Sequence, residues 1–323
     1  MKRRNAILAL LALATANRNA LAQQPALIAV LSVGTPENSR RNVAQLIEGL
    51  RELGHVHGRT FIVEDRHWSG EAKGLTPLIR DLLAKKPDVL VTGGTNVSLA
   101  VKEAAGSTPV VVAFASDLVS SGIVRSYARP GGNLTGLTTL TDVMAGKRLE
   151  ILAELLPAVR RVVLLQNPAH ALAKSIEAQT RKVAAGLRIE IVTVHVTNVR
   201  ELEAALDKLG DARADALLVS SHALFLRHSA TLIERAMKQK VPVVHWQPYT
   251  AQQGALLVQG IDMAKQHKRA ASYVDRILKG ARAGDLPIEQ VTTYELVVNL
   301  QTAKALGLKV SQTVLLRADK VIQ

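Results

Sequence analysis

The chain of 323 residues contains no cysteine, which excludes disulfides, thiolate metal sites and cysteine nucleophiles. It has 3 Phe, 2 Trp and 4 Tyr, too few aromatic residues for a surface on which single-stranded nucleic acid stacks. Beyond the N-terminus, no segment is both long and free enough of charge to fill the ~20 residues that cross a bilayer. The length itself suggests about two domains of ordinary globular size.

The N-terminus has the pattern of a secretory signal peptide. Basic residues at positions 2–4 precede an apolar run over 6–16, and Ala-Leu-Ala ends at Ala22. We predict a signal peptide over residues 1–22, cleavage before Gln23, and a periplasmic mature protein. An uncleaved N-terminal anchor is the alternative, which the shortness of the apolar run disfavours. With no cysteine after the apolar run, a lipid anchor is not expected.

The net charge is +14, and cleavage before Gln23 lowers it to +10 because residues 1–22 carry four basic and no acidic side chains. The remaining basic residues are scattered along the chain, often near the ends of predicted helices, where cations are favourable. A solvated basic surface therefore explains the charge better than a nucleic-acid partner, and we predict no nucleic-acid binding.

Short runs rich in Val, Ile and Leu alternate with longer amphipathic stretches, which predicts βα units and an α/β fold with parallel sheets. The predicted strands are 27–33, 60–65, 88–92, 109–114, 161–165, 188–194, 216–219 and 241–245. The predicted helices are 39–53, 75–85, 145–156, 172–185, 199–209 and 224–240. The same order of elements occurs twice, with a Gly/Pro-rich join at 128–139, and this repetition predicts two lobes of similar fold.

Motifs for nucleotide binding or catalysis are missing from the sequence: there is no G-x-G-x-x-G after a strand, no P-loop, no H-E-x-x-H and no G-x-S-x-G. A metal site at His55, His57 and His67 is disfavoured, because the first two lie in a Gly-bounded turn. A triad built on Ser221 and His222 is disfavoured too, because adjacency in sequence does not give triad geometry. We predict no catalytic residue, no metal and no cofactor.

Small polar residues follow many of the predicted strands, at the sheet edge where α/β proteins bind ligands. The candidate ligand-binding residues are Ser32, Thr35, Thr95, Asn96, Ser116, Asp117, Asn167, Ser221, His222, Trp246 and Asp262. Each polar one has an alternative role as a helix cap.

One hypothesis about the ligand follows from these positions. Gly93 and Gly94 before a helix let backbone N–H groups approach a carboxylate, while Asp117 and Asp262 can receive an ammonium group. An α-amino acid or similar zwitterion satisfies both demands, and Trp246 can stack on an aromatic side chain.

Segments spread in order along the chain resemble one family. They include GLRELGHVHGRTFIVEDRHWSG, DVLVTGGTNVSLAVKEA, GIVRSYARPGGNLTGLT, GKRLEILAELLPAVRRVVLLQNP, RADALLV, RAASYVDRILKGARAGDLPIEQVTTYELVVNLQTAKALGL and LLRADKVI. Together they resemble the ABC transporter substrate-binding protein family that includes tryptophan and tyrosine uptake receptors. The family often has Tyr and Glu where this chain has His55 and His57, a difference on a predicted turn.

The resemblance implies a type I periplasmic binding protein fold, in which two Rossmann-like lobes are joined by a three-stranded hinge. We expect one lobe over 26–138 plus 256–284 and the other over 139–255 plus 285–323. The implied partners are a small-molecule ligand, an ABC permease and its ATPase subunit, with the receptor itself a monomer.

The predicted function is a periplasmic receptor that captures a small polar solute (an amino acid or related carboxylate) in a cleft between the lobes. A secreted α/β enzyme acting on a small molecule is the alternative, which would need a nucleophile with its base and orienting partners. A ligand-sensing regulator of the same two-lobed fold would need a helix-turn-helix where the signal peptide stands.

Overall fold

The structure, a computed structural model, describes residues 24–71, 74–140 and 143–323. The predicted signal peptide lies outside the described residues. Within the described ranges, no helix combines the length and the apolar character needed to cross a membrane.

Thirteen strands and eleven α-helices are found in these ranges. The first part contains β1 (Ala26–Val33), α1 (Pro36–Glu52), β2 (Phe61–Trp68), α2 (Leu75–Ala84), β3 (Val89–Gly93), α3 (Thr95–Ala104), β4 (Val110–Phe114) and β5 (Leu134–Thr138). The middle contains α4 (Val143–Leu155), β6 (Arg161–Gln166), α5 (Ala173–Leu187), β7 (Glu190–His195), α6 (Val199–Asp207), β8 (Ala216–Val219), α7 (Ala223–Arg227), α8 (Ser229–Lys238) and β9 (Val243–His245). The last part contains β10 (Leu257–Gly260), α9 (Met263–Leu278), β11 (Glu289–Gln290), β12 (Glu295–Asn299), α10 (Leu300–Ala305), α11 (Gln312–Arg317) and β13 (Lys320–Ile322).

The first lobe is built on a six-stranded sheet in the order β11-β5-β4-β3-β1-β2, with all its strands parallel. The central strands β1, β3 and β4 are almost wholly buried, because helices cover both faces of a doubly wound sheet. Their continuous Val/Ile/Leu/Ala runs fit that environment. The result is one Rossmann-like lobe with its strand ends aligned along one edge.

The second lobe is built on a seven-stranded sheet in the order β13-β12-β10-β9-β8-β6-β7. Its strands are parallel except for the antiparallel pair of β10 and β12. Two separate apolar clusters contain alternate residues of the same strands, such as Val162 and Val163 of β6, and therefore lie on the two faces of the sheet. The predicted α/β fold with two parallel-sheet lobes is confirmed.

The chain passes between the two sheets three times: between β5 and α4, between β10 and α9, and between β11 and β12. Two of these crossings differ from the predicted boundaries at 256 and 285. Strand β10 pairs with β9 and β12 of the second sheet, and β11 pairs with β5 of the first. Both strands are short, so their own residues do not reveal which sheet supplies their hydrogen-bonding partners.

Helix α9 returns to the first lobe after the second crossing and packs on α1. The two helices approach closely at Gly49, where a Cβ would lie 2.5 Å from the carbonyl oxygen of Lys268 and 2.8 Å from the Cβ of Ala271. Only a glycine tolerates that spacing without a shift of backbone. The contact fixes α9, and with it the crossing that enters the lobe, against the first sheet.

A single helix was predicted over 224–240, but the structure has two, α7 and α8, with a break at His228. The backbone of His228 (φ −107°, ψ 19°) is outside the helical region, although both flanking segments share one apolar face. Because the apolar spacing continues across the break, periodicity alone does not detect it.

Candidate ligand-binding site

A cavity of about 490 Å³, its open mouth included, lies between the two lobes. The first lobe contributes residues at the carboxyl ends of β1 to β4, and the second those that follow β6, β8, β9 and β10, as expected for facing α/β sheets. The first-lobe residues are Val33, Trp68, Gly94, Thr95, Asn96, Val97, Phe114, Ala115 and Ser116. The second-lobe residues are His170, Ser221, His222, Ala223, Leu226, Trp246 and Ile261.

Three aromatic side chains form the large apolar surfaces of the cavity: Trp68 and Phe114 in the first lobe and Trp246 in the second. The indole Nε1 of Trp68 donates to the carbonyl oxygen of Glu71 at 2.8 Å, which fixes the ring. Trp246 stacks on His245, with ring centroids 6.0 Å apart and planes 9° from parallel. Walls of this kind suit a flat ring in the ligand.

The N-terminus of α3 opens onto the cavity at Gly94, whose φ of +87° lies outside the usual range of L-residues. Within the described residues the helix has no side-chain cap, because its N-cap residue is Gly94 itself. The neighbouring Gly93 is equally constrained, because a Cβ there would lie 2.3 Å from Cε1 of Phe114. The first-turn N–H groups and the helix dipole therefore offer an anion a place to bind.

His170 and His222 present hydrogen-bond donors from the second lobe. The Nδ1 atom of each accepts from a backbone N–H two residues on, that of Leu172 and that of Leu224, both at 3.2 Å. Burial lowers the pKa of His170 to about 4, and burial with neighbouring His170 lowers the pKa of His222 to about 3. Both rings are therefore neutral at pH 7, with the proton on Nε2.

The lobes touch across the mouth of the cavity. The side-chain amide of Asn96 donates to the carbonyl oxygen of Ala169 at 2.8 Å and accepts from the N–H of Ala171 at 3.0 Å. On another side, Nδ2 of Asn38 lies 3.2 Å from the hydroxyl of Tyr249. These hydrogen bonds hold the two lobes in a closed arrangement around the cavity.

A backbone approach adds to this closure. A Cβ at Gly70, which follows β2, would lie 2.2 Å from the backbone nitrogen of Leu224 in the other lobe. Gly70 itself has a φ of +93°. The closed arrangement thus needs a glycine at this position for both space and backbone conformation.

The cavity brings together six of the eleven predicted site residues: Thr95, Asn96, Ser116, Ser221, His222 and Trp246. Of these, Thr95 and Ser116 are linked, because the N–H of Ser116 donates to Oγ1 of Thr95 at 3.1 Å. The other five, Ser32, Thr35, Asp117, Asn167 and Asp262, are not among the lining residues.

Three of those five, Ser32, Thr35 and Asn167, are buried in a strand or hydrogen-bonded to residues close to them in the chain. Ser32 is 0% exposed inside β1. Thr35 caps α1, accepting from the N–H of Asn38 at 3.2 Å, and Oδ1 of Asn167 accepts from the N–H of Ala169 at 2.9 Å. The alternative role as a helix cap is thus the observed one for Thr35, whereas Asn167 stabilises the turn that follows β6.

The two predicted partners for a ligand ammonium are engaged elsewhere. Asp117 accepts from the N–H groups of Val119 and Ser120 and from the hydroxyls of Ser120 and Tyr127. Partial burial acts to raise the pKa of Asp117, but the hydrogen bonds from Ser120 and Tyr127 outweigh it and lower the pKa. Asp262 caps α9 and forms an ion pair with Arg41 at 2.5 Å.

Ten of the sixteen lining residues are outside the predicted set, and three of these ten have ring side chains: Trp68, Phe114 and His170. Trp68 is the last residue of β2, a strand predicted to end at 65. Phe114 ends both the predicted strand 109–114 and the observed β4, and His170 stands four residues beyond the end of β6. The available signal was the aromatic residue that ends a strand at the ligand-binding edge.

Two facing α/β lobes, three crossings and a cavity between the strand ends define a two-lobed protein of the periplasmic binding-protein fold. Residues 28–322 match the family model described as ABC transporter substrate binding protein. Because this match spans nearly the whole chain, the protein belongs to that family.

Relatives and solved structures agree with this assignment. A "Tyrosine-binding protein" of Clostridioides difficile (strain R20291) is 22% identical over 263 residues, covering 81% of this chain and 75% of the relative. A conserved domain protein of Vibrio cholerae is 25% identical with a TM-score of 0.85, covering 92% of this chain and 100% of the other. The ABC domain from Streptococcus pneumonia in complex with L-Trp is 21% identical with a TM-score of 0.84, covering 93% and 100%.

Proposed function

We propose that this protein is the periplasmic receptor of an ABC importer. It captures a small solute carrying an aromatic ring and a carboxylate, an amino acid or a related acid, and delivers it to a membrane permease driven by an ATPase subunit. The observation that carries the proposal is the cavity between the lobes, where aromatic walls face the uncapped end of α3. Family membership supports the receptor role, and the signal-peptide pattern supports the periplasmic location.

Ligand binding and closure are coupled in this proposal. A solute that touches both lobes favours the arrangement in which Asn96 bridges to Ala169 and Ala171, so affinity depends on the closed state. The permease then recognises a closed, loaded receptor, which acts as a monomer.

Each cavity residue has a proposed role. Trp68, Phe114 and Trp246 pack against the ring of the solute. Thr95 and Ser116, with the first-turn amides of α3, hold the carboxylate from the first lobe, and Ser221 and His222 approach from the second. Asn96 acts mainly in closure, because both ends of its amide are taken up by the other lobe.

The ligands named for two relatives, tyrosine and L-Trp, support an aromatic solute. A hydrogen bond at His222 favours binding without turnover. In a catalytic triad, Nδ1 of the histidine donates to a carboxylate, but Nδ1 of His222 accepts from a backbone N–H. The same atom cannot serve both partners.

Identification of the natural ligand tests the proposal. Protein purified from the periplasmic fraction, with its N-terminus sequenced, is denatured and the released small molecules are identified by mass spectrometry. We expect an N-terminus at Gln23 and an aromatic carboxylic compound that rebinds unchanged and reduces the radius of gyration in solution scattering. Chemical conversion of that compound by the protein, or tight rebinding with no compaction, would contradict the receptor role.

A further inference from the structure

We propose that the cavity selects an aromatic monocarboxylate without an α-ammonium group over the corresponding amino acid, and that His170 and His222 determine this preference. The inference rests on the proposed receptor function and names the class of its solute more narrowly. It departs from the ligands of the two relatives, tyrosine and L-Trp.

The hydrogen bonds of the two imidazoles determine which ring nitrogen carries the proton. Because each Nδ1 accepts from a backbone N–H, each neutral ring carries its proton on Nε2. The side chains are 8% and 7% exposed and both line the cavity, with ring centroids 6.4 Å apart. The hydrogen bonds found for the two rings within the described structure involve Nδ1 only, which leaves both Nε2–H groups free to donate to an acceptor in the cavity.

Other residues that line the cavity carry further hydrogen-bond donors. The uncapped first turn of α3 adds backbone N–H groups from the opposite lobe. The Nε1 atom of Trp246 is also buried without a partner, whereas that of Trp68 is satisfied by Glu71. An anion with two acceptor oxygens suits a cavity whose lining residues carry donors in both lobes, and burial strengthens such charge-assisted hydrogen bonds.

An amino acid would also bring an ammonium group into the cavity, and this group needs acceptors. The acidic side chains nearest in sequence to the cavity are already used, Asp117 by four donors in its turn and Asp262 by Arg41 and the N-terminus of α9. Of the side-chain amides, Asn96 has its oxygen occupied by the N–H of Ala171. A buried ammonium would meet hydroxyl oxygens and more donors, which is a costly environment for a cation.

Two matched ligand pairs test the preference directly by titration calorimetry on the ligand-stripped mature protein at pH 7. The pairs are L-tryptophan with 3-(indol-3-yl)propanoate and L-tyrosine with 3-(4-hydroxyphenyl)propanoate, whose members differ in the α-ammonium group. We expect the propanoate to bind at least about tenfold more tightly in the pair that fits the cavity. Equal or tighter binding of the amino acid overturns the inference but leaves the receptor function in place. No binding of any of the four overturns both.

Isosteric substitutions then test the role of the histidines. In His170→Asn and His222→Asn, Oδ1 replaces Nδ1 as the backbone acceptor while the Nε2 donor is lost. In His170→Gln and His222→Gln, a donor remains near Nε2 while the backbone acceptor is lost. We expect the Asn variants to lose most of the preference for the propanoate at nearly unchanged melting temperature, and the Gln variants to retain the preference but melt earlier.

The control is His228→Asn, since His228 stands between α7 and α8 outside the cavity lining. It should leave the ratio of the two affinities as in the wild type. A purely structural role of His170 and His222 predicts the reverse of our expectation: Asn variants that keep the preference and Gln variants that lose it together with stability. That result would overturn the assignment of these residues.

Discussion

The two lobes meet the cavity with different chemistry. The first lobe presents backbone N–H groups at the N-terminus of α3, behind Gly93 and Gly94, in addition to the side chains of Thr95 and Ser116, whereas the donors described in the second lobe are side chains such as His170 and His222. A backbone donor cannot be removed by substitution, but an imidazole can. Under the proposed function, anion binding by the first lobe and ligand discrimination by the second lobe are therefore separable by substitution.

The largest effect that we expect is a loss of folding stability in acid. It should differ between the lobes, because three buried histidines, His170, His222 and His245, belong to the second lobe and one, His267 of α9, belongs to the first. Burial is the leading cause that lowers the pKa of His245 to about 3 and of His267 to about 4, as it lowers those of the cavity pair. The unfolded chain binds protons below about pH 6.5 that the folded protein does not.

Stability is therefore fully present above pH 6.5 and is lost as the pH falls toward 4. The loss is up to about 1.4 kcal/mol per pH unit for each buried histidine. Calorimetric unfolding of the ligand-free protein between pH 7 and 4.5 measures it, and we expect the second lobe to lose more. A melting temperature that does not change over this range would mean that these rings are not buried as neutral groups.

The next largest effect is on closure, through Gly70→Ala. The new Cβ meets the backbone of Leu224 in the other lobe, so we expect affinity to fall by about 100-fold, the equivalent of ~3 kcal/mol. Gly34→Ala is the matched control, with a similar φ of +100° but an atom no nearer than 3.6 Å to its hypothetical Cβ. Both variants place an alanine at a positive φ, so equal affinity losses in the two would contradict a role of Gly70 in closure.

A third prediction concerns the aromatic wall of the first lobe. Trp68→Leu removes an indole ring whose Nε1 donates to the carbonyl oxygen of Glu71. The ring also makes a T-shaped contact with the ring of His222, with centroids 6.1 Å apart. We expect about tenfold weaker binding of an aromatic acid, from a loss of ~1–1.5 kcal/mol of aromatic contact. The same titration with an aliphatic acid of similar size is the control, and an equal loss for both ligands would argue against ring stacking.

The smallest effect distinguishes the cavity from its neighbouring turn. Asp117→Asn weakens the hydrogen bonds from Ser120 and Tyr127, so we expect about 1 kcal/mol less stability with affinity unchanged. Thr95→Val should lower both quantities, because Thr95 lines the cavity and also accepts from Ser116. Loss of affinity in Asp117→Asn at constant melting temperature would return this carboxylate to the ligand site.

Much of the fold was predictable because buried parallel strands have continuous apolar runs, as at β8, where the predicted and observed bounds coincide. Which sheet contains β10 or β11 was not predictable, since both strands are short and β11 pairs with β5, about 150 residues earlier in the chain. The break at His228 was hidden for a related reason: apolar spacing continues through it, and only the backbone of one residue changes.

The site was predictable only in part, because a polar residue at the end of a strand can either contact a ligand or cap the next helix. The sequence pattern is the same for both roles. Thr95 and Thr35 both start a helix after a strand, yet the first lines the cavity and the second caps α1. Asp262 shows the same ambiguity, since capping and ligand binding both favour a carboxylate before a helix. The aromatic residue Trp68 carried a clearer signal that the early predicted end of β2 concealed.

The most direct measurement is a crystal structure of the protein with a bound aromatic acid such as 3-(indol-3-yl)propanoate. We expect the ring to lie against Trp68 and Trp246, with the carboxylate oxygens about 3 Å from the first-turn nitrogens of α3 and from Nε2 of His222. A ligand bound outside the interlobe cavity, or one whose carboxylate points away from both α3 and the two histidines, would contradict it.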